Sequence, residues 1–356
     1  MGIKGLNQFL KKKCPEIYRE IHISDYAYKK VAIDLSLFLC KYKTICQERW
    51  ITAFLNLVCC LRKYEVHAIF VYDTSAPPEK ELEREERRKH KEKLESKWFM
   101  LNEALKEYYL TGNPSECLID LYNKKKQPEP RRLISHIRPV NYINVDIVEE
   151  AITKIKGQIL NISPEDYILT KQLFDILKVP YFQAPMEAET SCSDLCKRGL
   201  VDAALSEDSD ILAYGSPIFL SKLDTTTGFC NEIRYEDVLS SLEISSDTFL
   251  DLCLMCGCDY NKNIPLIGPV KAYKLLKEHS SIEELKNITP TVDITILNHI
   301  RGRELFRNYE QINIEVPYCD IPDFHELAKF IAVNNIGLNI ESLIKIFTPI
   351  IIFEED

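Results

Sequence analysis

The chain has 356 residues, 46% of them hydrophobic, and a formal net charge of −9 from 54 acidic and 45 basic residues. That size allows one large α/β domain with helical additions, or two domains, and the apolar share excludes wholesale disorder. No run of 18 apolar residues offers a membrane span and the first residues lack the apolar core of a signal peptide, so a soluble intracellular protein is expected.

Residues 1–73 read as a short helix, a strand ending Val31-Ala32-Ile33-Asp34, a long helix, and a second strand Ala68-Ile69-Phe70-Val71-Tyr72 that runs into Asp73. From Pro77 to about Tyr109 the sequence turns Glu-, Lys- and Arg-rich. Leu94, Trp98, Leu101 and Leu105 give that helix only a thin apolar stripe, the pattern of a solvated arm. Residues 111–145 carry Gly112, Pro114, Pro128, Pro130 and Pro139 and read as loop. Helical spacing returns over 164–179, and the sheet resumes at Tyr181, leading into Glu187 and Glu189. Ala203-Ala204-Leu205-Ser206-Glu207 then leads into Asp208 and Asp210. After Leu220 the chain is expected to leave the sheet.

Ser245–Cys258 reads as a helix, and the turn Leu266-Ile267-Gly268-Pro269 starts another through Lys271, Lys274 and Lys277. Helix, glycine-bearing turn and helix with exposed lysines make a phosphate-binding unit, because backbone N–H groups at the second helix's start point at the anion. Three further helices account for the last 70 residues. Cys253, Cys256 and Cys258 have no second pair at finger spacing, and read as buried thiols rather than zinc ligands. The thirteen cysteines read as reduced. Met1-Gly2 does not make a myristoylation signal, since Leu6 stands where Ser or Thr is wanted.

Four apolar runs thus end in carboxylates: Asp34, Asp73, Glu187 with Glu189, and Asp208 with Asp210. Strands of a mostly parallel sheet point their C-terminal ends at one crevice. Six acids brought there need cations, because like charges a few ångströms apart cannot all stay ionised. Oxygen-only ligands suit Mg²⁺, with Mn²⁺ as a substitute, rather than zinc. The pattern points to metal-assisted cutting of nucleic acid. The acidic net charge does not forbid this, since the basic residues cluster at Lys11-Lys12-Lys13, Arg84 to Lys93, Lys124-Lys125-Lys126 and Arg131-Arg132.

Together these residues resemble the XPG-type structure-specific 5′-nuclease family, whose central member is flap endonuclease. Met1-Gly2-Ile3-Lys4-Gly5-Leu6 is similar to the family's opening, and Val31-Ala32-Ile33-Asp34 to its first catalytic strand. Ala184-Pro185-Met186-Glu187-Ala188-Glu189 and Glu207-Asp208-Ser209-Asp210 are similar to its internal acidic motifs. Gly257-Cys258-Asp259-Tyr260 with Ile267-Gly268-Pro269-Val270-Lys271 is similar to its helix–two-turn–helix segment.

The resemblance implies an α/β, PIN-like fold with a mostly parallel central sheet flanked by helices, a helical arch and a C-terminal helix–two-turn–helix region. It adds Asp259 to the metal carboxylates and implies two metal ions. It also implies catalytic cations after Asp73, for which Lys80, Arg84 and Arg87 are the candidates, sharing one helix face. Gly2, Tyr42, Gly268, Lys271 and Lys274 are the candidate DNA contacts.

The expected divisions are an N-terminal nuclease region with the start of the arm at 1–110, an arm insertion at 111–163, an internal nuclease region at 164–235 and a helical region at 236–356. The expected partner of this monomer is branched or flapped DNA. No clamp-binding pattern stands in the tail, where Leu343-Ile344-Lys345-Ile346-Phe347 reads as core. Two features depart from flap endonucleases: Cys40 replaces their stacking tyrosine, and Glu187 lies 114 positions after Asp73. Both leave a four-way junction or bubble open as the substrate. A catalytically inactive DNA-binding or scaffold protein is the rival from another class, disfavoured because all seven acids are present.

Overall fold

Val31, Ala32 and Ile33, like Ile69, Phe70 and Val71, are buried on both faces of the sheet, which is why these segments read as continuous apolar runs. The computed structural model describes residues 2–125, 143–159, 161–288 and 293–348. Its first part runs α1 (Leu6–Lys13), β1 (Arg19–His22), β2 (Lys30–Asp34), α2 (Leu35–Cys46), α3 (Trp50–Lys63) and β3 (His67–Tyr72). The long helix expected between the two strands is broken into α2 and α3 by a tight turn at Gln47–Arg49, where Gln47 takes a φ of 49°.

Next come α4 (Glu81–Thr111), α5 (Glu116–Lys125), α6 (Val145–Gln158), α7 (Pro164–Leu177), β4 (Tyr181–Gln183), α8 (Ala188–Lys197), β5 (Ala203–Leu205), α9 (Asp210–Ala213), β6 (Ile218–Ser221) and β7 (Phe229–Arg234). The chain closes with α10 (Tyr235–Leu242), α11 (Ser246–Cys256), α12 (Pro269–His279), α13 (Ile282–Ile288), α14 (His299–Arg307), α15 (Phe324–Val333) and α16 (Ile340–Phe347). No helix among the described residues is long and apolar enough to cross a membrane.

The seven strands lie in the order β1-β7-β6-β5-β2-β3-β4. From β6 to β4 they are parallel, while β7 pairs antiparallel with both β6 and β1. The chain therefore does not leave the sheet after Leu220. It turns at Asp224, whose carboxylate accepts the Thr226 N–H at 2.8 Å, and returns through Gly228 at φ 82°. A side chain on Gly228 would meet the His22 ring at 2.5 Å. Behind the sheet, Phe70 stacks on Phe174 of α7 at 4.1 Å and 11°, and Phe54 of α3 meets both rings edge-on. Each such pair contributes about 1 kcal/mol beyond its area.

The chain forms two compact units, residues 1–42, 48–81 and 163–356 in one, and 43–47 with 82–162 in the other. The second unit contains most of α4 with α5 and α6. Residues 116–125 are helical rather than loop: Leu118, Leu121 and Tyr122 of α5 pack with Leu101 and Leu105 of α4 and with Val148, Ile152 and Ile155 of α6. The thin stripe is thus half of a helix–helix seam, and the other face of α4 is solvated. There Glu85–Lys89 and Glu95–Lys91 pairs line the surface. Lys126, Arg131 and Arg132, with Pro128, Pro130 and Pro139, lie outside the described residues.

Candidate active site

Parallel strands deliver the acids to one end of the sheet. Asp34 is the last residue of β2, 3% exposed, and accepts the Leu37 N–H at 3.1 Å as α2 begins. Asp73 follows β3 and remains solvent-exposed. Its Oδ1 accepts the Ala188 N–H at 2.6 Å, pinning the start of α8, the helix that carries Glu189 and is preceded by Glu187. Beyond β5, the Asp208 N–H donates to Ser206 Oγ at 3.1 Å and Asp208 Oδ1 accepts the Asp210 N–H at 3.1 Å, so a tight turn presents both acids. Asp259 arrives from a different element, just after α11.

Lys80, on the turn before α4, sits among them. It ion-pairs with Glu187, lies 3.0 Å from Asp259 Oδ2 and 3.6 Å from Glu189 Oε1, and is largely buried. Burial alone pulls an ammonium pKa down, but Glu189, Glu187 and Asp259 override it and raise Lys80. Burial, reinforced by the neighbouring acids, pushes Asp34, Glu189 and Asp210 well above the usual carboxylate range, and Asp208 upward as well. Neither carboxylate oxygen of Asp210 finds a hydrogen-bond donor among the described residues, although both are buried. An orphaned buried acid in an all-oxygen donor set fits a hard divalent cation. No three of these groups close around one point as a preformed cation cage among the described residues, and Lys80 supplies positive charge beside them instead.

Sequence comparison decides the family. The XPG N-terminal domain pattern matches residues 1–94 and the XPG I-region pattern residues 178–259. The chain is 32% identical over 378 residues to "Probable RAD2-like endonuclease 369L" of Invertebrate iridescent virus 6, covering 96% of this chain and 90% of that protein. The chain belongs to the XPG-type flap endonuclease family. A flap endonuclease 1 of Meyerozyma guilliermondii is 30% identical over 359 residues, covering 93% of this chain and 84% of its own. In fold, the catalytic core of Rad2 in complex with DNA substrate superposes with a TM-score of 0.66 at 17% identity, covering 97% of this chain and 98% of the other. XPG-type proteins are structure-specific nucleases that generally depend on divalent metals, and the seven-stranded sheet is their PIN-like architecture.

Two residues of this XPG-type centre escaped the sequence reading. The Tyr260 hydroxyl donates to Glu187 Oε2 at 2.5 Å, and the Tyr214 hydroxyl lies 2.5 Å from that of Tyr260. Both rings are buried against Phe306 of α14. Their adjacency to motif acids, Tyr260 beside Asp259 and Tyr214 four residues after Asp210, was the available signal. Gly2 also reaches the acids: at φ 83°, a β-carbon there would collide with the Asp208 carboxylate. The Ile3 N–H donates to Ser209 Oγ at 3.0 Å and the Lys4 N–H to the Gly257 carbonyl at 2.9 Å, so the opening segment is fastened to both acidic loops.

Of the remaining expected contacts, Gly268 precedes α12 without a side-chain cap, Pro269 opens the helix, and Lys271 and Lys274 are exposed on it. Arg84 and Arg87 are exposed on α4 in the second unit, and Arg87 pairs with Glu83. Tyr42, also expected at the DNA, is 9% exposed, its ring edge-on to Phe54 at 5.1 Å and tilted against Phe38. Cys253, Cys256 and Cys258 are buried, with burial pushing the Cys256 thiol up to about 12.

Proposed function

We propose that this protein is a Mg²⁺-dependent, structure-specific DNA nuclease that hydrolyses phosphodiester bonds at the junction of single- and double-stranded DNA, in replication or repair. The observation that carries the reading is the set of seven carboxylates at and beside the strand ends, held with one buried lysine. Two Mg²⁺ ions bound by these oxygens would lower the pKa of an attacking water and stabilise the leaving oxygen. Asp210, buried with both oxygens short of a donor among the described residues, has most to gain from a cation, and Asp34, Asp73, Glu187, Glu189, Asp208 and Asp259 complete the set. Lys80 adds positive charge where the transition state gathers negative charge, and Arg84 and Arg87, four and seven residues further along the chain, are further phosphate contacts. Cleavage would leave a 5′-phosphate.

A four-way junction is the second reading. Cys40 stands where flap endonucleases carry a stacking tyrosine, and the neighbouring rings of Phe38 and Tyr42 are buried. A cleavage panel of flap, nick, gap, bubble and four-way junction DNA with Mg²⁺ tests both. Preferred cutting of the 5′ flap, lost with a chelator, is expected. Outright preference for the four-way junction would replace the flap assignment, and cutting that persists in chelator would overturn the metal role.

A further inference from the structure

Helix α14 is locked in place by its neighbours. Arg303 sets Nε and one terminal nitrogen on the Asp251 carboxylate of α11, both at 2.6 Å, and reaches Glu283 of α13 at 2.5 and 2.8 Å. Asp251 is itself buried and also accepts the Ile282 N–H at 3.1 Å. Gly302 passes so close to α11 that a β-carbon there would meet Leu254 Cδ2 at 2.6 Å. Phe306 is buried with its ring 4.8 Å from that of Tyr214 and 5.2 Å from that of Tyr260. A helix packed this closely cannot slide without breaking several of these contacts.

From this fixed helix Arg301 reaches the turn that carries Lys80. Its Nε donates to Glu79 Oε1 at 2.7 Å, while Glu304, one turn further along α14, takes Nη1 at 3.0 Å and orients the guanidinium. Glu79 immediately precedes Lys80 on the Pro78–Lys80 turn. The stretch from Asp73 to that turn is fastened at its other end as well. There the Thr74 N–H donates to the Met186 carbonyl at 2.9 Å and its hydroxyl to the Ala184 carbonyl at 2.8 Å. Between the two ties, Pro77 is buried and lines a cavity with Leu305 of α14 and with Asn308 and Tyr309 just beyond it. Pro77 and Pro78 have fixed φ angles, so little freedom remains between the anchors. With Arg301 nearly half exposed, its ion pair adds little to global stability. Its consequence lies in where it holds Lys80.

We propose that Arg301 is a positioning residue for Lys80, acting through Glu79. The inference rests on the nuclease reading, in which Lys80 meets the charge that gathers in the transition state. Arg301 acts in two ways. It ties the Pro78–Lys80 turn to a helix that does not move, which keeps the Lys80 ammonium among Glu187, Glu189 and Asp259. It also occupies the Glu79 carboxylate, so this fourth acid does not draw the ammonium away from the other three. The tie joins residues 222 positions apart, and neither belongs to an acidic motif.

The test times single-turnover cutting of whichever panel DNA the full chain cuts fastest, at saturating Mg²⁺, and measures DNA affinity separately in chelator. Arg301→Ala and Glu79→Gln are each expected to slow cutting by about tenfold, short of the roughly hundredfold of a full 1 Å misplacement, with affinity unchanged. The two together should cost no more than either alone, and Arg301→Lys should recover most of the rate. Adding Arg301→Ala to Lys80→Met should slow that variant no further. A normal rate in Arg301→Ala, a loss of affinity in place of rate, or an equal loss on top of Lys80→Met would overturn the proposal. Melting in chelator asks the same question without cutting: Arg301→Ala should shrink the drop in melting temperature that Lys80→Met causes. Equal drops in the two backgrounds would overturn it. A wild-type protein that shows this coupling yet cuts no DNA fails the nuclease reading alone.

Discussion

Tyr260 holds Glu187 from one side while Lys80 holds it from the other: the phenol donates to Oε2 at 2.5 Å and the ammonium pairs with Oε1. A carboxylate clamped at both oxygens cannot rotate, so its position beside Asp259 and Glu189 is set before any cation binds. Replacing Tyr260→Phe removes the donor and keeps the ring against Phe306. The expected cost in stability is about 1 kcal/mol, with a raised Mg²⁺ requirement for cleavage and little change in DNA affinity. An unchanged Mg²⁺ titration would show that this hydroxyl does not position the carboxylate.

Lys80 is the cation that three acids share in the described structure. Lys80→Met leaves Glu187, Glu189 and Asp259 without it, and breaking such a buried pairing costs about 3 kcal/mol. Thermal melting in chelator should therefore drop by several degrees, and Mg²⁺ should restore the variant more than it raises the wild type. A variant as stable as wild type in chelator would contradict the ion-pair account.

Gly2 faces Asp208 with no room for a methyl group. Gly2→Ala should displace either the opening segment or the carboxylate, and a misplacement of about 1 Å in an active site costs on the order of a hundredfold in rate. Global stability should change little, because Ile3 and Leu6 keep their own burial. Comparing cleavage rate with melting temperature checks this, and full activity in the variant would remove the N-terminal segment from the site.

Far from the acids, His67 at the start of β3 accepts the Cys319 N–H on Nδ1 at 3.1 Å, tying the C-terminal segment to the sheet. Burial, then the charges of Arg62 and Lys30, lowers its pKa to about 4. The unfolded chain takes up this proton below about pH 6.5 while the folded chain refuses it until about pH 4. Its contribution is therefore full above pH 6.5 and is lost as pH falls toward 4. His67→Gln should flatten the stability–pH curve in that window relative to wild type, as chemical denaturation at a series of pH values would reveal. Parallel curves would place the acid sensitivity elsewhere.

The strand-end acids were legible because burial on both sheet faces leaves an unmistakable apolar run before each of Asp34 and Asp73. Edge strands leave no such mark. β1 reads Arg-Glu-Ile-His, half solvated, and only its pairing with β7 across two hundred residues makes it a strand. Helix α5 hid behind Gly112 and Pro114, and its packing partner α6 lies beyond a proline-rich stretch. Tyr42 and Tyr260 show the same limit from opposite sides. One tyrosine near a motif goes into the core and the other onto a carboxylate, and the deciding contacts, Phe54 and Glu187, are distant in sequence from at least one of them.

The most direct test of the central claim pairs cleavage with binding for Asp34→Ala and Asp208→Ala on a 5′-flap duplex at saturating Mg²⁺. Both acids are buried in the cluster, and both remove negative charge near the phosphate. The account predicts that cleavage falls to background in each variant while DNA affinity, measured in chelator, is kept or tightened. Near-normal cleavage in either variant would contradict a metal-assisted centre at the strand ends.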